Sequence, residues 1–140
     1  MAPVVRRIIY VISYELIAIV LTTLGLVVLG FGGASSGVMA VTASTIAMVW
    51  NYIWNTVFEL WEQRQDSPAR TLRRRVAHAI GFEGGLVVVL LPIMAWILRV
   101  SLRQAFALEV GLLAFFLVYT FAFTWLFDKV LPPRTNPDAR

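Results

Sequence analysis

Four runs of about twenty apolar residues, separated by short polar or charged stretches, leave this chain few ways to fold. The runs cover residues 8–29, 38–60, 76–98 and 105–127. Each is long enough to cross the roughly 30 Å hydrocarbon core of a bilayer as one helix. Inside that core every backbone N–H and C=O needs a partner within the chain, and a helix supplies it. The expected fold is an all-α membrane protein, a bundle of four transmembrane helices. With 59% hydrophobic residues the 140-residue chain is too apolar for an ordinary soluble domain.

Composition narrows the chemistry further. There is no cysteine, which excludes disulfides, thiolate metal sites and cysteine nucleophiles. A single histidine excludes a multi-histidine metal centre. No phosphate-binding loop or nucleophile elbow is present, so no enzyme, cofactor or metal site is expected. The net charge of +4 lies between the apolar runs, where arginines orient a membrane protein, and does not indicate nucleic-acid binding.

Connections differ in charge. The expected loop 30–37 is Gly/Ser-rich and uncharged, whereas the connector 61–75 carries Arg64, Arg70, Arg73, Arg74 and Arg75, with Pro68 as a helix breaker. Arg6 and Arg7 precede the first run, Arg99 and Arg103 flank the turn 99–104, and Lys129, Arg134 and Arg140 lie in a tail with Pro132, Pro133 and Pro137. The positive-inside rule places both termini and the central connector in the cytoplasm. The first run is longer than a signal-peptide core and contains Glu15, so it is expected to remain as a span. Trp61, Trp96 and Trp125 fall near helix ends, where indoles favour the interface; Trp50 and Trp54 lie deeper, as candidates for packing or ligand contact.

A motif recurs along the chain. Arg7, Tyr10, Tyr14 and Glu15, at the start of the first run, are matched, in the same order and at the same spacing, by Arg75, His78, Phe82 and Glu83 at the start of the third. The chain is therefore expected to be one membrane domain made of two helix pairs, 1–67 and 68–140, as a parallel duplication about an axis along the membrane normal. Each copy sets a glutamate well inside an apolar run. Such a carboxylate costs about 2.5–3.5 kcal/mol to insert, which marks both as candidates for function. Removal of water favours the neutral acid. A carboxyl there holds either a proton or a cation, the simplest basis for exchanging one for the other.

At 100° per residue, Ala18, Ile19 and Thr22 share the Glu15 face, with Tyr10 and Tyr14 beside it. In the second run Ser44, Asn51, Asn55, Phe58, Glu59 and Glu62 form one polar stripe, whose asparagines are expected to bond Glu15 or Glu83 or to line a cavity. Glu59 and Glu62 lie near the expected surface. His78 is about 140° from Glu83 and is expected to face a different partner. Gly84 and Gly85 are expected to let another helix backbone approach. Glu109 is expected either to pair with Arg99 or Arg103 or to form an acidic site on a cation path; Phe116 and Thr120 share its face, with Tyr119 and Phe123 alongside. Asp128, beside Lys129, is expected at the interface.

These motifs resemble those of the proteobacterial antimicrobial compound efflux family, also described as the bacterial transmembrane pair domain. The resemblance rests on Arg7, Tyr10, Tyr14 and Glu15; Trp50, Asn51, Asn55, Phe58 and Glu59; Arg75, His78, Gly81, Phe82, Glu83, Gly84 and Gly85; and Tyr119, Phe121, Phe123, Trp125 and Asp128. It covers almost the whole chain. Tyr10 stands where the family usually has histidine. The resemblance implies proton-driven efflux across the inner membrane of a Gram-negative bacterium, of chlorhexidine, other cationic or aromatic biocides and dyes, or short-chain diamines. It also implies Glu15 as the coupling residue, and a homodimer. Tyr10, Tyr14, Asn51, Trp54, Asn55, His78, Glu83, Glu109 and Tyr119 are the candidate pathway residues. The small multidrug resistance family also has a helix-one glutamate, but the duplicated motif and the asparagines argue against it. The alternative from another class is a non-transporting membrane scaffold whose acids serve as interhelical glue.

Overall fold

A computed structural model describes residues 2–66 and 71–134. Pro68, Arg70, Pro137 and Arg140 lie outside the described residues. The described chain forms four helices and no strand: α1 (Pro3–Val28), α2 (Gly33–Gln63), α3 (Leu72–Leu98) and α4 (Leu102–Val130). All four are long and apolar enough to cross a membrane.

Every helix outruns its apolar stretch. At 1.5 Å per residue they are roughly 39–46 Å long, against about 30 Å of hydrocarbon. Their polar ends stay helical, because helices continue into the interface as long as backbone bonds propagate. α1 therefore starts at Pro3, whose missing N–H costs nothing in a first turn. The Gly/Ser segment is mostly not a loop. α2 takes up Gly33 to Gly37 and buries Ser36 fully, leaving residues 29–32 as the turn, with Gly30 at φ 100°. The charged connector shortens likewise: α2 runs on through Trp61 to Gln63, and α3 begins at Leu72. Asp128 and Lys129 lie inside α4.

The second turn is sharper. Arg99 adopts the left-handed conformation at the end of α3 (φ 53°). Ser101 then caps α4: its hydroxyl accepts from the Gln104 N–H (3.2 Å), and Gln104 Oε1 accepts from the Ser101 N–H (3.1 Å).

The helices stand in a ring: α1 packs on α2, α2 on α3 and α3 on α4, while α4 and α1 approach least closely and, among the described residues, the backbones of diagonal helices stay apart. Three levels follow along the bundle. At the end where both hairpins turn, Leu26, Met39, Leu90, Met94, Leu98 and Ala105 form a dry apolar core. Acidic and polar groups occupy the middle. At the opposite end Arg6 is ion-paired with Asp128, donates to the Leu131 carbonyl (2.8 Å) and lies over the Phe127 ring.

Two seams of the ring are closed differently. Between α2 and α3, Trp54 Nε1 donates to the His78 carbonyl (3.0 Å) and Trp50 Nε1 to the Phe82 carbonyl (2.9 Å). Their rings lie against Gly81 and Gly85, where any Cβ would fall 2.2 Å from an indole carbon. The glycines thus admit side chains, not a neighbouring backbone as expected, and Gly84 has nothing within 4 Å. Between α1 and α4 the links are hydroxyls: Tyr10 to Thr124 and Tyr14 to Thr120, each at 2.8 Å, and Tyr119 donating to the Tyr14 carbonyl at 2.8 Å. Phe123 packs edge-on against Tyr10 and Tyr14, and Phe127 against Tyr10.

Candidate functional site

The middle of the ring holds a partly open cavity of about 280 Å³ to which all four helices contribute. α1 supplies Tyr14, Glu15, Ala18, Ile19 and Thr22. This is the face that helical periodicity assigns to Glu15, with Tyr14 at its edge. α2 supplies Ala40, Ala43, Ser44, Ala47, Met48 and Asn51; α3 supplies Phe82, Glu83, Leu86 and Leu90; α4 supplies Glu109, Leu112, Leu113 and Phe116. Three carboxyls from three helices therefore face one mostly apolar space, and among the described residues no lysine or arginine lines it.

The lining repeats along the chain. Tyr14, Glu15, Ala18 and Thr22 of α1 correspond, at one constant offset, to Phe82, Glu83, Leu86 and Leu90 of α3. Ala40, Ala43, Ser44 and Ala47 of α2 correspond, at an offset one position longer, to Glu109, Leu112, Leu113 and Phe116 of α4.

The acids differ in their partners. The Ser44 hydroxyl donates to Glu15 Oε2 across the α1–α2 interface. Glu109 Oε1 is buried without a hydrogen-bond partner. Glu109 does not pair with Arg99 or Arg103, as one expectation had it. The reason is helical geometry. Arg103 lies six residues before Glu109, about 240° around α4 and roughly 9 Å along it, and Arg99 belongs to the turn.

A second cavity, about 310 Å³, adjoins the first and shares Asn51, Phe82 and Glu83 with it; Asn55, His78 and Ala79 complete its wall. His78 and Glu83 thus line one space, although their separation around α3 suggests different surroundings. His78 Nε2 bonds Asn55 Oδ1 at 2.8 Å, and the Asn55 amide donates to both the carbonyl (2.7 Å) and the side chain of Asn51. With the amide so oriented, Nε2 is the donor. The asparagines therefore bond each other and His78, not the glutamates.

Other residues expected on the pathway lie elsewhere. Trp54, on α2, packs against α3, its ring tilted against His78 and Phe58. Tyr10 and Tyr119 belong to the α1–α4 seam. The sequence marks Ser44 only as the outer extension of the polar stripe. Its place on one face with Ala40, Ala47 and Asn51, at helical spacings, is the available signal for a cavity-lining role.

A ring of four membrane-crossing helices around an acid-lined, largely apolar cavity defines a multi-pass membrane protein. The family model described as chlorhexidine efflux transporter matches residues 2–64 and 70–133. The chain belongs to this family. The chain is also 37% identical over 130 residues to the short-chain diamines transporter of Vibrio parahaemolyticus, covering 91% of each chain. It is 42% identical over 130 residues to the short-chain diamines transporter of Acinetobacter baylyi, covering 89% of each. With that of Acinetobacter baumannii it shares 36% over 126 residues, 89% of this chain and 87% of the other. These relatives are transporters, not enzymes. No solved structure matches the chain.

Proposed function

We propose that this protein is a proton-coupled antiporter of the inner membrane that exports cationic biocides such as chlorhexidine, short-chain diamines, or both. The observation that carries the reading is Glu15, set in the wall of an apolar cavity beside the Ser44 hydroxyl, in a chain whose family and relatives are described as transporters of such compounds. A charged carboxylate in this setting draws on the Ser44 hydrogen bond and on a bound cation for stabilisation. Once the cation leaves, a proton is the cheapest replacement. Cation and proton therefore compete for Glu15, and each turnover exchanges one for the other. Tyr14 and Asn51 line the same space and are read as contacts for the substrate.

We further read the chain as a duplicated helix hairpin with both termini cytoplasmic. The recurrence of the cavity lining in the two halves, and a family match that falls in two segments, support the duplication. The arginines flanking the spans support the orientation. A cavity of 280 Å³ lies at the small end of ligand sites and suits a diamine better than a bisbiguanide. A homodimer that joins two cavities would accommodate the larger compound. The scaffold alternative finds no support in a transporter family.

The test is purified protein in liposomes under an imposed pH gradient, wild type against Glu15→Gln. Cadaverine or chlorhexidine should dissipate the gradient with wild type alone. Equal dissipation by folded Glu15→Gln would remove Glu15 from the coupling step.

A further inference from the structure

We propose that Glu109 is a specificity-determining residue that selects dicationic over monocationic substrates by holding the second cationic head. The inference rests on the transport reading above. Three observations lead to it.

First, Glu109 faces the cavity but has no cation of the protein to answer it. Its Oε1 is buried without a hydrogen-bond partner, and among the described residues no lysine or arginine lines the cavity. A carboxylate left so needs a positive group from outside or a proton.

Second, the acids stand at two levels. Glu15 is thirteen residues before Val28 and Glu83 fifteen before Leu98, so both lie about 20 Å from the end where the hairpins turn. Glu109 is seven residues past Leu102, about 10 Å from the same end. The difference, on the order of 10 Å along the bundle, is reduced by the reach of two glutamate side chains. A short alkyl chain with an ammonium at each end spans such a gap, one head at Glu15 and the other at Glu109.

Third, the wall between the two levels is mostly apolar, with Ala18, Leu86, Leu90 and Leu112. It suits methylenes, and the hydroxyl at this height, that of Ser44, is engaged with Glu15. A monocation bound at Glu15 would leave Glu109 unanswered; a diamine satisfies both. The position equivalent to Glu109 in the first half is Ala40, buried and small, so this second acid has no counterpart.

The test compares cadaverine with pentylamine, which keeps the five-carbon chain and one ammonium. Binding to purified protein is measured by calorimetry for wild type, Glu109→Gln and Glu109→Asp, with thermal unfolding as the check on folding. Glu109→Gln should weaken cadaverine about ten- to a hundredfold, the worth of one hydrogen bond to a charged group, and leave pentylamine unchanged. Glu109→Asp keeps the charge and draws it back by one methylene, so the preferred diamine should be about one carbon longer than that of wild type. It carries the test if Glu109→Gln does not fold. Equal loss for both amines, or no loss for either, overturns the assignment, as does an unshifted length optimum in Glu109→Asp. Wild type that binds neither amine would sink the transport reading and this one with it. Wild type that binds both, with a cadaverine preference indifferent to Glu109, refutes this one alone.

Discussion

Gly84 and Gly85 are neighbours in sequence and opposites in surroundings, which makes the α2–α3 seam open to a sharp test. A Cβ added at Gly85 would lie 2.2 Å from Trp50 Cζ2 and 2.8 Å from its Cε2, so the indole must move. Moving it strains the seam by roughly 1–3 kcal/mol, the usual range for overpacking. It also puts at risk the bond from Trp50 Nε1 to the Phe82 carbonyl, worth about 0.6 kcal/mol on average and up to about 1.7 between membrane helices. Alanine returns about 0.5–1 kcal/mol through its better helix propensity. Gly85→Ala should therefore destabilise by about 1–3 kcal/mol. At Gly84 nothing lies within 4 Å, so only the propensity term acts, and Gly84→Ala should be more stable by about 0.5–1 kcal/mol. The assay is reversible unfolding in mixed detergent micelles, followed by far-ultraviolet circular dichroism. A Trp50→Ala background should abolish most of the Gly85→Ala penalty, as a double-mutant cycle would show. Gly85→Ala proving as stable as Gly84→Ala would refute the indole-seat reasoning.

Two further outcomes are expected. Tyr119→Phe removes the bond to the Tyr14 carbonyl but keeps the ring, and should cost about 0.5–1.5 kcal/mol in the same unfolding assay without changing helix content. Ser101→Ala breaks the capping box of α4 and should cost about 0.5–2 kcal/mol, whereas Ser101→Asp should recover most of that; a difference within error between the two would speak against the cap.

Much of this arrangement is legible in the sequence. Four apolar runs become four helices, since twenty apolar residues have no other stable state in hydrocarbon. The face shared by Glu15, Ala18, Ile19 and Thr22 is the face on the cavity, because one helix has one period. What periodicity leaves open is the rotation of each helix against its neighbours. It gives the angle between His78 and Glu83 but not that a single cavity is broad enough to touch both. It marks the stretch around Gly84 and Gly85 as a place of close approach but not whether backbone or indole arrives, which depends on Trp50 and Trp54 of another helix. Helix ends escape the sequence for a different reason. The apolar runs record the thickness of hydrocarbon, whereas the backbone bonds of a helix continue past it.

The same rotation decides why Glu15 and Glu83 are not equivalent. Both stand at about the same depth and line the same cavity, and they occupy matching positions in the repeated motif. Yet Glu15 accepts a hydrogen bond from Ser44, while the position matching Ser44 in the second half is Leu113. The flanking aromatics differ in the same sense: Tyr14 bonds Thr120 across the α1–α4 seam, and its counterpart Phe82 has no hydroxyl to give. Glu83 is set instead between two cavities, one of them walled by Asn55 and His78. The first-half acid is thus set apart by the Ser44 hydroxyl beside it, a distinction that rests on the neighbours α2 and α4 present and not on the repeated motif itself.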